Sequence, residues 1–301
     1  MKRRLSLVAT VLCCCLAFGA CANNQNHTQK DPSGTRIDRE KTTLDVQKPI
    51  AYSSVNGISL EPGSYISIIG RYSDDSYWKE VEAGAKKAVA DLNAMLGYKG
   101  DKKIKLTYSA PEVRDDVNEQ VNILDEELSR EPIAIGIAAI DTTACTIQFD
   151  LAAENNIPII TFDSGSDYQH VASHIATDNI AATQTAATQL AYAIEEEGEV
   201  IVFVQDSLSM TAKQRLQGFL DTISSKFPKV TVAETYKFDQ LDTMREAIAN
   251  EKNAALAEGE QAVKADDLTQ DDVIQYLIEK HPNLKGIYAT NLDTTQAVAK
   301  V

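Results

Sequence analysis

Short apolar runs alternating with stretches of helical period, from Tyr65 to the end of the chain, limit the fold more than any other feature. Tyr65–Gly70, Lys103–Tyr108, Ile133–Ala138 and Ile157–Phe162 read as strands, because near-continuous apolar runs suit strands covered on both faces. Tyr77–Leu96, Val113–Ser129 and Thr143–Asn156 between them read as helices. A second series follows: helix Asn179–Glu197, strand Val200–Gln205, helix Thr211–Lys226 and strand Val230–Thr235. Helix Leu241–Leu256, an acidic segment Ala257–Gln270, helix Asp271–Lys280, strand Gly286–Ala289 and a helix starting near Thr294 complete it. Strand–helix alternation of this kind gives parallel sheets with helices on both faces. The expected fold class is therefore α/β, with two doubly wound lobes, residues 64–177 and 178–301, joined near Ser173–Asn179. No internal repeat stands out.

The first 63 residues do not share this pattern. Lys2, Arg3 and Arg4 precede an apolar stretch from Leu5 to Phe18, the layout of an export signal over residues 1–20. The stretch is shorter than the ~20 apolar residues that a membrane-spanning helix needs. Phe18-Gly19-Ala20-Cys21 resembles a bacterial lipobox, which implies that Cys21 is the lipidated N-terminus of the mature chain. An ordinary secretory signal is the alternative. Residues 21–63, polar and without sustained period, then read as anchor and tether.

The chain of 301 residues carries 29 basic and 44 acidic side chains, a net −15. Removal of residues 1–20 leaves 26 basic against 44 acidic, or −18. Nucleic acid is excluded as a partner, since phosphate binding needs clustered Lys and Arg. So acidic a surface gains nothing from anionic lipids, and membrane attachment would rest on acyl chains. Four of the five cysteines lie at or before Cys21, leaving Cys145 as a buried apolar residue with no disulfide partner. His170 and His174 are four apart but not in a helical context, and no metal or cofactor is expected.

In open parallel sheets ligands meet the carboxyl ends of the strands. The loops there are Arg71–Trp78, Asp163-Ser164-Gly165-Ser166-Asp167, Asp206–Ser209 with Lys213 and Arg215 beyond it, and Thr290–Asp293. Carboxylates, amides, hydroxyls, a guanidinium and aromatic rings suit a neutral polyol, whose hydroxyls they pair and whose C–H faces they cover. Each residue also has a plainer reading. Asp74 or Asp75 could cap the following helix, Trp78 could be core, Arg215 could be surface, and Asn291 could be a turn residue.

Several stretches together resemble the periplasmic-type sugar-binding proteins of bacterial ABC transporters, nearest the ribose-binding group, over Ser64–Val301. They are Ser73–Trp78, Asn156–Asp163 with its Ile-Pro-Ile-Ile-Thr-Phe-Asp core, Ser173–Asn179, Arg215-Leu216-Gln217-Gly218-Phe219 and Ala289–Asp293. The resemblance implies a two-lobed receptor that closes on a sugar and hands it to a permease. By position it implies Asp75, Asp163, Ser164, Arg215 and Asn291 as polar ligand contacts, with Tyr77, Trp78 and Phe238 as rings that sandwich the sugar. Ser76 stands in place of the family's Pro and Asp75 in place of its Asn. Ser164 replaces an Arg, which points away from ribose itself.

The resemblance also implies further segments after Val301, so a truncated second lobe is expected. A monomer is expected, lipid-anchored on the outer face of the cell membrane. A receptor that senses a sugar, autoinducer or nucleoside and feeds a signalling partner rather than transport is the alternative. The chain has no GxSxG, P-loop, GxGxxG or HExxH pattern, and the remaining enzymatic reading is a glycosidase using Asp75 and Asp163.

Overall fold

The computed structural model describes residues 55–257 and 260–301. The signal, Cys21 and the tether up to Ser54 lie outside the described residues. Val55–Val301 forms a single compact unit.

Five parallel strands make the first sheet, in the order β2-β1-β3-β4-β5. They are β1 (Tyr65–Ile69), β2 (Lys105–Ser109), β3 (Ala134–Ile137), β4 (Ile159–Phe162) and β5 (Ser173–Ile175). Register runs Ile66 to Leu106 on one side of β1 and Ile66 to Ala134 on the other. Helices α1 (Ser76–Leu96), α2 (Val117–Leu128) and α3 (Thr146–Glu154) connect the first four strands. Ile69, Leu124, Ile135, Ile137, Phe149 and Ile159 form the core between this sheet and the second and third helices. Each contributes about 1.5–3 kcal/mol by leaving water.

The second sheet has the order β7-β6-β8, again all parallel. Its strands are β6 (Gly198–Val204), β7 (Val230–Lys237) and β8 (Leu284–Ala289). Val200 to Val204 are buried without interruption, as a central strand covered on both faces must be. Helices α4 (Asn179–Ala193) and α5 (Met210–Lys226) cover one face through Ala187, Ala191, Ala212 and Phe219. Helices α6 (Leu241–Ala254) and α7 (Gln270–Glu279) cover the other, where Ile248, Val273, Ile274 and Leu277 pack on Ile201, Phe203 and Tyr236. Helix α8 (Leu292–Lys300) follows β8.

The differences from the sequence reading have local causes. Helix α2 starts four residues later than expected because Asp116 caps it, accepting from Glu119 N at 2.9 Å. Helix α3 is shorter because Asp141 holds the preceding turn, accepting from Thr143 N and Ala144 N at 2.7 and 2.8 Å. Cys145 therefore sits ahead of the helix rather than inside it, though it is buried. Helix α4 stops at Ala193, since Glu195 and Glu196 adopt left-handed backbone. The end of the segment read as tether is held against the fold. Tyr98 Oη donates to Leu60 O at 2.8 Å, and Gly63 N to Lys102 O at 2.9 Å. In the acidic segment, Asn253 brackets Val263 through both backbone groups, at 2.8 and 2.9 Å.

Candidate functional site

All strands of each sheet run the same way, so the loops that leave their carboxyl ends gather on one side of each sheet. These two loop sets meet. Arg71, after β1, is 7% exposed and reaches Asp206, after β6, at 3.3 Å. Arg114, after β2, reaches Asp293 in the first turn of α8 at 3.0 Å. Lys213 of α5 donates to Thr142, after β3, at 2.8 Å. A Cβ built on Gly165, after β4, would lie 2.7 Å from Met210 Sδ of α5, so backbone and side chain are in close approach there.

Tyr77 and Asp163 are brought together at this junction, the tyrosine hydroxyl donating to Asp163 Oδ1 at 3.1 Å. Burial pushes the Tyr77 phenol up to about 12, and the Asp163 carboxylate pushes the same way. Arg215 works against that shift. The phenol is thus a fixed donor at any physiological pH. Asp163 holds a left-handed backbone, φ 55°, with its N–H bonded to Ile175 O at 2.9 Å. Asp is among the few residues that tolerate this conformation.

Arg215 is oriented by two partners. Its Nε donates to Asn179 Oδ1 at 2.8 Å and its Nη1 to Thr290 O at 2.9 Å. Asn179 opens α4 and Thr290 follows β8, so one guanidinium on α5 ties the start of α4 to a strand end of the second sheet. Its surface reading therefore does not hold.

Asp75 caps α1 as the plainer reading had it, accepting from Tyr77 N at 2.8 Å. Its other oxygen pairs with Arg114 at 2.8 Å. Burial raises this carboxyl, but Arg114 and the N–H groups of Tyr77 and Trp78 outweigh it and hold it below the usual aspartate range. Asn291 likewise caps α8 in a reciprocal box with Thr294, at 2.9 and 3.2 Å.

Two expected rings sit elsewhere. Trp78 is 6% exposed and packs edge-on against Tyr77 and Phe162, so it supports the site from within the core. Phe238 packs on Phe203 and Tyr236 at the end of β7. Among the described residues no direct ring contact joins it to Tyr77 or Trp78. Ser164 is fully buried, with a hydroxyl that has no partner among the described residues.

Arg71, Arg114, Asp115 and Thr142 were not among the expected site residues. Arg114, Asp115 and Thr142 lie in the loops after β2 and β3, to which the strand-end rule applies equally. Two grooves of about 590 and 600 Å³ lie away from the junction. One lies between α1 and β2 around Val89 and Asn93, the other beside Pro132 and Asn155. Among the described residues there is no cluster of metal ligands, and no helix is long and apolar enough to cross a membrane.

Comparison with known proteins agrees with this architecture. Residues 66–301 match the family described as periplasmic binding protein domain. The ribose import binding protein RbsB of Escherichia coli is 23% identical over 151 residues, which cover 50% of this chain and 42% of that protein. That of Haemophilus influenzae is 31% identical over 90 residues, 30% of this chain and 31% of that one. The matches thus span less than half the length of these relatives. A carbohydrate transporter solute-binding protein from Agrobacterium radiobacter, solved with D-arabinose, superposes with a TM-score of 0.61. It is 28% identical, with 79% of this chain and 70% of that one covered. A solute-binding protein from Agrobacterium vitis bound to α-D-tagatopyranose gives 0.59, 26%, 79% and 70%. These relatives are binding proteins rather than enzymes. With two parallel sheets whose strand ends face one junction, and with a family match over most of its length, the chain belongs to the periplasmic binding protein domain family.

Proposed function

We propose that the chain is an extracytoplasmic solute-binding protein that takes a neutral sugar or polyol at the junction of its two sheets. The observation that carries this reading is the Tyr77–Asp163 pair at the junction. There a donor and an acceptor meet at the strand ends of the first sheet, while Asn179 and Thr290 O hold the Arg215 guanidinium at a strand end of the second. Such a set pairs vicinal hydroxyls and penalises ligands that leave any of its groups unpaired. Two relatives above 25% identity are described with a bound monosaccharide, which supports the same class. Residues 64–177 and 178–301 would act as lobes that close on the ligand. The closed form would deliver it to an ABC transporter permease, with Cys21 anchoring the chain to the outer face of the membrane.

Titration calorimetry of the chain against D-arabinose, D-tagatose, D-ribose and a panel of hexoses and polyols tests the ligand class. Saturable one-to-one binding to a panel member is expected, weakened at least tenfold in Tyr77→Phe or Arg215→Ala. Absence of binding to every member, or turnover of a glycoside, would overturn it. Globomycin treatment of expressing cells tests the anchor, since a Cys21 lipoprotein accumulates with its signal uncleaved.

A further inference from the structure

Two arginines of the first sheet unit are shared in the same way. Arg71 pairs with Asp115 of its own unit at 2.5 Å and with Asp206 of the other at 3.3 Å. Arg114 pairs with Asp75 of its own unit at 2.8 Å and with Asp293 of the other at 3.0 Å. We propose that Arg71 and Arg114 are clasp residues, which hold the two halves together before any ligand arrives and so set the affinity for it. The proposal rests on the reading of the halves as moving lobes, but not on the identity of the ligand.

The geometry makes the clasp reversible. On opening, neither arginine is left bare, because each keeps an aspartate of its own half. Asp206 is not left bare either, since it accepts from Leu208 N at 3.0 Å, Ser209 N at 2.6 Å and Ser209 Oγ at 2.9 Å. Asp293 is half exposed and returns to water. Opening therefore breaks the two arginine pairs across the halves and the neutral-acceptor bond from exposed Lys213 to Thr142, and strands no buried charge, the event that makes breaking an ordinary buried ion pair costly. The two pairs also differ in character. Arg71–Asp206 is buried and little affected by salt, whereas Arg114–Asp293 is exposed and screened.

The clasp affects binding through population. A ligand that fits only the closed form has an apparent affinity reduced by the fraction of closed molecules, so a clasp that raises this fraction tightens binding without touching the ligand. From the worth of single ion pairs, removing both cross-half arginine pairs changes the open-to-closed ratio by about twofold to thirtyfold.

Spin labels introduced as unnatural amino acids at Glu126 and Lys226, both exposed, report the distance between the halves in the ligand-free chain. Asp206→Asn with Asp293→Asn removes both cross-half partners and leaves Arg71 and Arg114 with their own. The expected result is a longer-distance population that grows in the double variant by the stated factor. Raising NaCl from 20 mM to 0.5 M should enlarge it in the parent and much less in the variant. Asp293→Asn alone, which alters only an exposed side chain, should give part of the effect even if loss of Asp206 disturbs its loop. Asp293→Glu should restore the parent distribution. Identical distributions in parent, single and double variants at low salt would overturn the clasp. Because no ligand is present, a failed sugar panel cannot produce that result.

Discussion

Gly218 decides how closely α5 lies on α4, and its replacement by Ala has a calculable sign. A Cβ there would be 2.3 Å from Thr183 Oγ1, 2.8 Å from Ile180 O and 3.1 Å from Ile180 Cα. Helix propensity alone favours Ala over Gly by about 1 kcal/mol. Overpacking a filled site costs about 1–3 kcal/mol. The upper part of that range applies, because neither near neighbour can swing away. Ile180 O is backbone, and Thr183 Oγ1 is tied to Asn179 O at 2.8 Å. The net expectation is a destabilisation of ~1–2 kcal/mol, seen in urea as a midpoint lower by ~0.5–1 M for a slope of ~2 kcal/mol/M. Adding Thr183→Ala relieves one contact and should recover part of the loss, leaving the share due to Ile180 O. Arg215 lies one turn before Gly218 on the same face, bonded to Asn179 at the start of α4. Separation of the helices should therefore weaken ligand binding as well. A midpoint equal to or above that of the parent would show that the helices have room, and would refute the close-packing argument.

Three further outcomes are expected. Asp75→Asn keeps a good cap but loses the Arg114 pair. The folded carboxyl lies below its unfolded value of about 3.9, so its contribution is present above that pH and fades as pH falls through the folded value. The variant should be less stable at pH 7, by up to ~1 kcal/mol, and equal to the parent near pH 2 in urea titrations. Burial pushes the Cys145 thiol up to about 12, so iodoacetamide at pH 8 should leave it unmodified by mass until urea unfolds the chain. Glu127, 2% exposed, accepts from Tyr65, Thr107 at 3.0 Å, Ser109 at 3.4 Å and Arg130 at 2.9 Å. Glu127→Gln should therefore cost about 1–3 kcal/mol in the same assay.

The sheets were legible because their information is local. Val200–Val204 is apolar on both faces, and its short length and β-branched content favour a covered parallel strand over a buried helix. β5 was hidden for the opposite reason. Ser173, His174 and Ile175 are all exposed at the sheet edge and carry no pattern. The first turn of α2 was misread because Val113 extends the apolar period backwards, whereas the cap signal of Asp116 with Glu119 three residues on marks the true start. Tyr77, Asp163 and Arg215 are placed at the strand ends as the strand-end rule expects. The inward packing of Trp78 and of Phe238 is not readable from sequence, since a ring near a strand end can turn inward as easily as outward, and only packing decides. Arg114 could not have been matched to Asp293 from sequence, for 179 residues separate them.

The net charge illustrates the same divide between composition and position. A chain at −15 would be expected to present carboxylates wherever its loops gather. Yet at the junction Arg71, Arg114, Arg215 and Lys213 come from three different strand-end segments, the last two from α5, and each bonds across the junction or to the groups that line it. Asp75, Asp115, Asp206 and Asp293 answer the first two of them. Charges matched this closely at short range leave little net field for attracting an ion, and an added charge would have to displace an existing partner. On the proposed reading, a neutral ligand would instead exchange hydrogen bonds with groups such as Tyr77 and Asp163 and leave the arginine–aspartate pairs intact. The balance at the junction, rather than the acidity of the whole chain, therefore bears on what can be held there.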